Sequence, residues 1–374
     1  MMKFRKMIWL VFGSFLFLKA CTSPKQEAKT MKEAYASKFY IGTALNVDQL
    51  MGLDEKSVEV VKANYNSVVA ENCMKSEEIR PVEGEFFFDE ADKFVQFGED
   101  NQMFIVGHTL IWHSQAPAWF FTDSEGNEVS REVLIERMRN HIHTVVGRYK
   151  GRVHGWDVVN EAIEDDGSFR QSKFYQIVGE DYLKLAFQFA HEADPDAQLY
   201  YNDYSMDKAG KREGVVKLVK SLKEAGLRID AVGMQGHVGL KYPNINEFEK
   251  SLVAYADLGV KVMITEFDIT VLPLPWEQEG AEISINFDYT DEMDPYKNGL
   301  SEVVAKQQAD RYIEFFTLFN KYSDKISRVT LWGVTDHQTW KNDWPIKGRT
   351  DYALLFDRNC QAKPFVQSLI DLAK

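Results

Sequence analysis

Short runs of β-branched and aromatic residues alternate along this chain with longer segments in which apolar residues recur every three or four positions. The runs are Phe39 to Leu45, Asn66 to Ala70, Phe104 to Gly107, Trp156 to Val159, Gln198 to Asn202, Ala231 to Gln235, Val262 to Thr265 and Arg328 to Val334. Each has the length of a buried strand. Between them, sets such as Leu134, Met138, Ile142, Val145 and Tyr149, or Val304, Tyr312, Phe315 and Phe319, place one apolar stripe along a helix, ready to pack on a sheet. Strand and helix repeated eight times predict an α/β fold, the (β/α)8 TIM barrel, in which active residues gather at the carboxyl ends of the strands. No Gly/Ser-rich or Pro-rich linker interrupts residues 32–374, so the pattern predicts a single domain.

The first residues follow a different rule. Lys3, Arg5 and Lys6 precede an apolar stretch from Met7 to Leu18, too short to span a bilayer permanently and of the length of a signal-peptide core. Residues 1–20 therefore read as a leader. Ala20 before Cys21 resembles a bacterial lipobox, which makes Cys21 the lipid-bearing first residue of an exported, membrane-anchored lipoprotein; an ordinary secretory signal cleaved nearby is the other reading. Residues 22–31 are polar, carry Pro24 and read as a flexible tether.

Loss of the leader removes four positive charges and takes the formal net charge from −13 to −17. Such a surface repels phosphate backbones, and no basic stripe with interleaved aromatics offsets it, so nucleic acid is excluded as a partner. Cys73 and Cys360 lack metal-like spacing; a disulfide between them and two free thiols both fit the sequence.

The polar residues fall on one rim of the expected barrel. Glu71, Asn72 and Lys75 follow the second run, and His108 and Trp112 the third. Asn160 and Glu161 close the fourth, Asn202 and Tyr204 the fifth, Gln235 and His237 the sixth, Glu266 and Asp268 the seventh, with Trp332 and Trp340 on the eighth and its loop. Two carboxylates at separate strand ends, Glu161 and Glu266, are what acid/base cleavage of a glycosidic bond requires. Metal-dependent barrel hydrolases draw a His-x-His pair from a strand end; the first run offers Tyr40-Ile-Gly-Thr-Ala instead, so neither metal nor cofactor is expected.

The segments Glu71-Asn-Cys-Met-Lys75, Gly107-His-Thr-Leu-Ile-Trp-His-Ser-Gln115, Trp156-Asp-Val-Val-Asn-Glu-Ala162, Gln235-Gly-His237, Ile264-Thr-Glu-Phe-Asp268 and Leu331-Trp-Gly-Val-Thr-Asp336 closely resemble, in order, those of glycoside hydrolase family 10, the endo-β-1,4-xylanases. The resemblance runs from about Lys32 to the C-terminus. It implies a retaining double displacement on xylan, with Glu161 as acid/base and Glu266 as nucleophile. In such enzymes the two carboxyls lie about 5 Å apart, so an ionised nucleophile keeps its neighbour protonated until the sugar ester forms. His237 and Asp268 are expected to orient Glu266, and Asn160 resembles the family residue that bonds the sugar 2-hydroxyl. By the same resemblance His108, Trp112, Gln235, Trp332 and Trp340 surround the cleaved sugar, Glu71, Asn72, Lys75 and Gln115 hold the next unit on the non-reducing side, and Tyr204 stacks on the leaving side. A tryptophan wall admits a pentose and crowds the hydroxymethyl group of glucose.

Other readings share parts of this pattern. A surface lipoprotein that binds xylo-oligosaccharides without cutting them would keep the barrel, and a related retaining β-1,4-glycanase would keep the chemistry; the presence of both carboxylates favours an enzyme. Ser76, where a tryptophan often follows the family lysine, the Cys73 position, and Lys341, in place of a frequent arginine, depart from the family pattern and touch substrate binding rather than reaction type. Trp119, Trp156 and Phe315 read as core, and His141 and His143 as solvated. The acidic stretch from Thr270 to about Leu300, with Pro273, Pro275, Trp276, Phe287, Tyr289 and Tyr296, lies on the active rim and reads either as a wall of the leaving-group side or as a flap. The chain is expected to act as a monomer on xylan and xylo-oligosaccharides.

Overall fold

A computed structural model describes residues 30–275 and 283–374; the leader, Cys21, most of the tether and Trp276 lie outside the described residues. Among the described residues nine parallel strands are formed: β1 Tyr40–Leu45, β2 Ser67–Ala70, β3 Phe104–Trp112, β4 Gly155–Asn160, β5 Gln198–Asp203, β6 Ala231–Met234, β7 His237–Gly239, β8 Lys261–Thr270 and β9 Ile326–Leu331. Each strand from β1 to β6 pairs with the next, β1 pairs with β9, β9 with β8, and β8 with β6, which closes the ring. β6 and β7 both pair with β8 and are two halves of one stave, broken at Gln235 and Gly236, where Gly236 takes φ +79°. The barrel is therefore eight-staved, as the alternation predicts.

Two staves run further than their apolar runs. β3 continues through His108 and Thr109 to Trp112, and β8 through Glu266 and Asp268 to Thr270. Polar residues inside a parallel barrel are tolerated only when paired. His108 Nδ1 lies 2.9 Å from Asp157 Oδ2, Thr109 Oγ1 donates to the Asp157 carbonyl, and Asp268 is held by His237.

The helices form where the periodicity puts them. Ser130 accepts from the Val133 amide to cap helix Arg131–Arg148, and Ser301 caps helix Glu302–Lys321 through Val304. Leu134, Met138, Ile142, Val145 and Tyr149 are fully buried, and Phe315, Phe316 and Phe319 pack on Phe267 of β8. Inside the ring, Ala44, Val69, Val106, Ala231 and Met263 fill the space around Tyr200 and Trp332. Gly155 makes room there: a Cβ would sit 2.1 Å from the Tyr200 hydroxyl.

Several expectations need correction. The fold begins before residue 32, since Thr30 caps helix Met31–Ala34 and Met31 is completely buried. Of the two readings open for Cys73 and Cys360, the structure has the free thiols, with no correction needed. Trp119 is half-buried, stacked on Phe120 with its Nε1 donating to the Arg80 carbonyl, whereas Trp156 and Phe315 are core. His143 is half-exposed beside Glu192, but His141 is fully buried, edge-on to Phe120. Spacing places the two on different faces without saying that one of those faces meets the core. Burial lowers the His141 pKa to about 3. The unfolded chain takes up this proton near pH 6.5 and the fold does not, so stability is complete above that pH and is lost as pH falls toward 3. Between pH 6.5 and 4 the loss is about 3 kcal/mol. His141→Leu is expected to flatten the fall of Tm over that range, as scanning calorimetry would register.

Candidate active site

β4 delivers Asn160 and Glu161, and β8 delivers Glu266, each carboxylate only 5% exposed. On Glu161, Oε2 accepts from Trp112 Nε1 at 2.7 Å, and Oε1 accepts from Gln235 Nε2 at 2.8 Å and Asn160 Nδ2 at 3.1 Å. On Glu266, Oε1 accepts from Asn202 Nδ2 at 2.8 Å, and Oε2 lies 3.3 Å from His237 Nε2. Asn202 Nδ2 also donates to Asn160 Oδ1 at 2.9 Å, so two amides bridge the two carboxylates. Thr265 Oγ1 fixes Asn202 from behind at 2.6 Å, and Gly233 leaves the space, since a Cβ there would lie 2.4 Å from Asn202 Oδ1.

The environments push the pair apart. Burial dominates at Glu161 and raises its carboxyl pKa, with the Asp203 charge adding to the effect while His113 and the bonds from Gln235 and Trp112 offset part of it. Burial acts on Glu266 in the same sense, but there the hydrogen bond from His237, with the electrostatic effect of His108, the His237 charge and the bond from Asn202, outweighs it and the pKa is lowered. His237 is itself held by Asp268, whose Oδ2 lies 2.9 Å from Nδ1 and also accepts from Trp340 Nε1 at 2.8 Å. Burial opposes protonation of this imidazole, yet the Asp268 charge and hydrogen bonding leave its pKa raised.

A cavity of about 360 Å³ opens above the pair, lined by Glu71, Asn72, Lys75, His108, Trp112, Gln115, Asn160, Gln235, His237, Trp332 and Trp340 in addition to both carboxylates. At one end Lys75 Nζ donates to Asn72 Oδ1 and Gln115 Oε1 at 2.7 and 2.8 Å and lies 4.9 Å from the Trp112 ring. Asp268 stands behind His237. Tyr204 lies in the adjoining groove, which shares His237 with the first cavity and is also lined by Tyr242 and Phe248. It is 7% exposed, with Lys211 Nζ 4.1 Å from its ring centroid and Trp344 packed against it, so little of its face is open for stacking.

Trp344, Asp343 and Ile283 also line the cavity and were not foreseen. Trp344 stacks on Trp340 at 4.7 Å, a spacing of four residues that was visible in the sequence but sits in a loop without periodicity. His113, 4.0 Å from Glu161, was visible only as one member of an incomplete histidine set. Lys341 is buried beneath the tryptophan pair, its Nζ 4.0 Å from the Trp340 ring and 4.7 Å from Trp344, where it supports the wall. Ser76 Oγ donates to the Gln115 carbonyl. The described parts of the 270–300 stretch are docked on the segment after β9: the Phe287 amide donates to the Pro345 carbonyl, the Thr350 amide to Asp294, and Arg349 to the Pro273 carbonyl. Through Ile283 the stretch joins the tryptophan wall of the carboxylate cavity, and none of its described residues lines the groove that holds Tyr204.

Opposed proton affinities in two bridged, buried carboxyls are the working requirement of acid-assisted glycosidic cleavage, and on this barrel rim they define a glycoside hydrolase. Comparison supplies the family. Residues 30–372 match the model of Glycosyl hydrolase family 10, and the chain belongs to that family. It is 52% identical over 368 residues to endo-1,4-beta-xylanase A of Xylanibacter ruminicola, covering 98% of this chain and 99% of that protein. It is 41% identical to an endo-1,4-beta-xylanase of Geobacillus stearothermophilus, covering 92% and 98% of the two chains. Among solved structures, a GH10 endoxylanase retrieved from sugarcane soil metagenome superposes with a TM-score of 0.89 at 47% identity, over 91% of this chain and 99% of that one. The resemblance carried by the six ordered motifs is thereby borne out.

Proposed function

We propose that this chain hydrolyses internal β-1,4-xylosidic linkages of xylan by retaining double displacement, with Glu161 as acid/base and Glu266 as nucleophile. The observation that carries the assignment is the opposite displacement of two carboxyls linked through Asn160 and Asn202. Glu266, ionised, attacks the anomeric carbon while Glu161 protonates the leaving oxygen. Esterification then removes the negative charge beside Glu161, which becomes more acidic and deprotonates the incoming water. Asn160 and Lys75 supply donors to sugar hydroxyls, and Trp112, Trp332 and Trp340 supply the apolar walls. On linear xylan the expected product is a ladder of short oligosaccharides, with β-1,4-glucan largely spared. Equal cutting of both polymers would assign a broader β-1,4-glycanase.

The roles fix the pH profile. Activity needs ionised Glu266, so it falls as pH drops through that lowered pKa; it needs protonated Glu161, so it falls as pH rises through that raised pKa. His237 supplies the main hydrogen bond that depresses Glu266. In His237→Asn the acid limb of kcat/KM is therefore expected to move to higher pH while the basic limb stays in place. A shift of both limbs together would contradict the division of labour.

The leader supports export, and the Ala20-Cys21 pair supports a lipid anchor on Cys21 in the cell envelope. Cys21→Ser is expected to release the enzyme from the membrane fraction without loss of activity; retention of the variant in the membrane would reject the anchor.

A further inference from the structure

We propose that Arg170 is a positioning residue for Glu161, fixing the backbone that aims its carboxyl and tying it to the leaving side of the cleft; the proposal rests on Glu161 being the acid/base. Glu161 has φ +60°, a left-handed conformation that costs a non-glycine residue roughly 1–2 kcal/mol and persists only where its surroundings hold it. That conformation redirects the Glu161 carbonyl out of the β4 ladder, and Arg170 Nε donates to this oxygen at 2.8 Å. The residues between them form a hairpin, bridged at Ile163 and Phe169 and closed by the Arg170 amide on the Ala162 carbonyl, which returns the guanidinium to the acid. Its Nη2 donates to the Tyr204 hydroxyl at 2.6 Å, and its side chain is 12% exposed, beside Glu164 at 3.5 Å.

The rest of the turn is held from the β5 side. The Glu161 amide donates to the Asn202 carbonyl, and the Ala162 and Ile163 amides both donate to the Tyr201 hydroxyl. Those bonds fix the amides; the Glu161 carbonyl is fixed by Arg170. A planar guanidinium spans a carbonyl and a phenol in one rigid fork, which an ammonium does not. The aromatic that borders the leaving groove and the peptide of the acid are thus joined through one side chain. A displacement of the Tyr204 hydroxyl therefore reaches the peptide of Glu161 through Arg170.

Aryl β-xylobiosides with phenols of graded acidity separate this role from binding or folding. Dinitrophenolate departs without a proton, whereas a weakly acidic phenol needs Glu161, so misaim of the acid costs rate only at the weakly acidic end. In Arg170→Met, kcat/KM is expected to fall roughly 100-fold for the poorest leaving groups and to stay within about threefold for dinitrophenyl xylobioside, steepening the dependence on leaving-group pKa. Arg170→Lys, which can reach one acceptor at a time, is expected to fall between, and Tyr204→Phe to show a weaker form of the same slope. An equal loss across the series, or no loss, in folded Arg170→Met and Arg170→Lys would overturn the proposal. Glu161→Ala in the same series keeps the failures distinguishable: a flat response there refutes the acid assignment itself, while a steep response there with a wild-type slope for both arginine variants refutes only the role of Arg170.

Discussion

Glu266→Ala is expected to abolish turnover of xylan, with kcat lowered on the order of 10⁵- to 10⁶-fold, as for other enzymes deprived of their nucleophile. The size follows from what is lost. Without this carboxylate no glycosyl ester forms, and the groups left beside the space, the His237 imidazole and the Asn202 amide, supply no carboxylate in its place. The fold should survive, because Glu266 sits at the cavity end of β8 and its removal relieves a buried charge. Azide provides the decisive control. Admitted to the vacated face with an activated xyloside, it attacks the anomeric carbon directly and yields the α-xylosyl azide, with inverted configuration. A β-azide from this variant would mean that the nucleophile is another residue.

Glu161→Ala is expected to behave in a contrasting way. Loss of the acid lowers kcat/KM on xylan by about 10²- to 10⁴-fold, while an aryl xylobioside with a good leaving group is still attacked by Glu266 and stalls as the glycosyl-enzyme for want of a base. Mass spectrometry of that mixture is expected to show the xylobiosyl adduct on the peptide carrying Glu266. Azide then captures the intermediate with retained, β configuration. Loss of the same size on every substrate, without an adduct, would contradict the acid/base role. Together the two variants separate the carboxylates by face as well as by step.

Much of this site was legible because barrels impose order. Once the eight runs are set in register, the residues just after each run must share a rim, and the two glutamates must face one another across it. The limits are equally physical. Apolar patterning ends a strand at its first polar residue, so β3 and β8 looked short: His108, Thr109, Glu266 and Asp268 lie within the strands and are satisfied by partners from neighbouring strands. His141 looked solvated because helical spacing gives a face but not what covers it. Trp344 and Arg170 gain their importance from loops that return to the cleft, and the left-handed turn at Glu161 has no sequence signal, since glutamate rarely adopts it. Tyr204 lies in the groove beside the carboxylate cavity, but the Lys211 ammonium over its ring was not legible from residues seven positions apart with no common element.

Proton NMR of xylohexaose in the first minutes of cleavage tests the central claim most directly, because one spectrum reports substrate, position of cleavage and stereochemistry. Double displacement through Glu266 inverts the anomeric carbon twice, so the new reducing ends are expected to appear first as the β-anomer, from internal bonds, with the α-anomer following only by mutarotation. New ends that appear first as the α-anomer, or no new ends at all, would contradict a retaining xylanase built on Glu161 and Glu266.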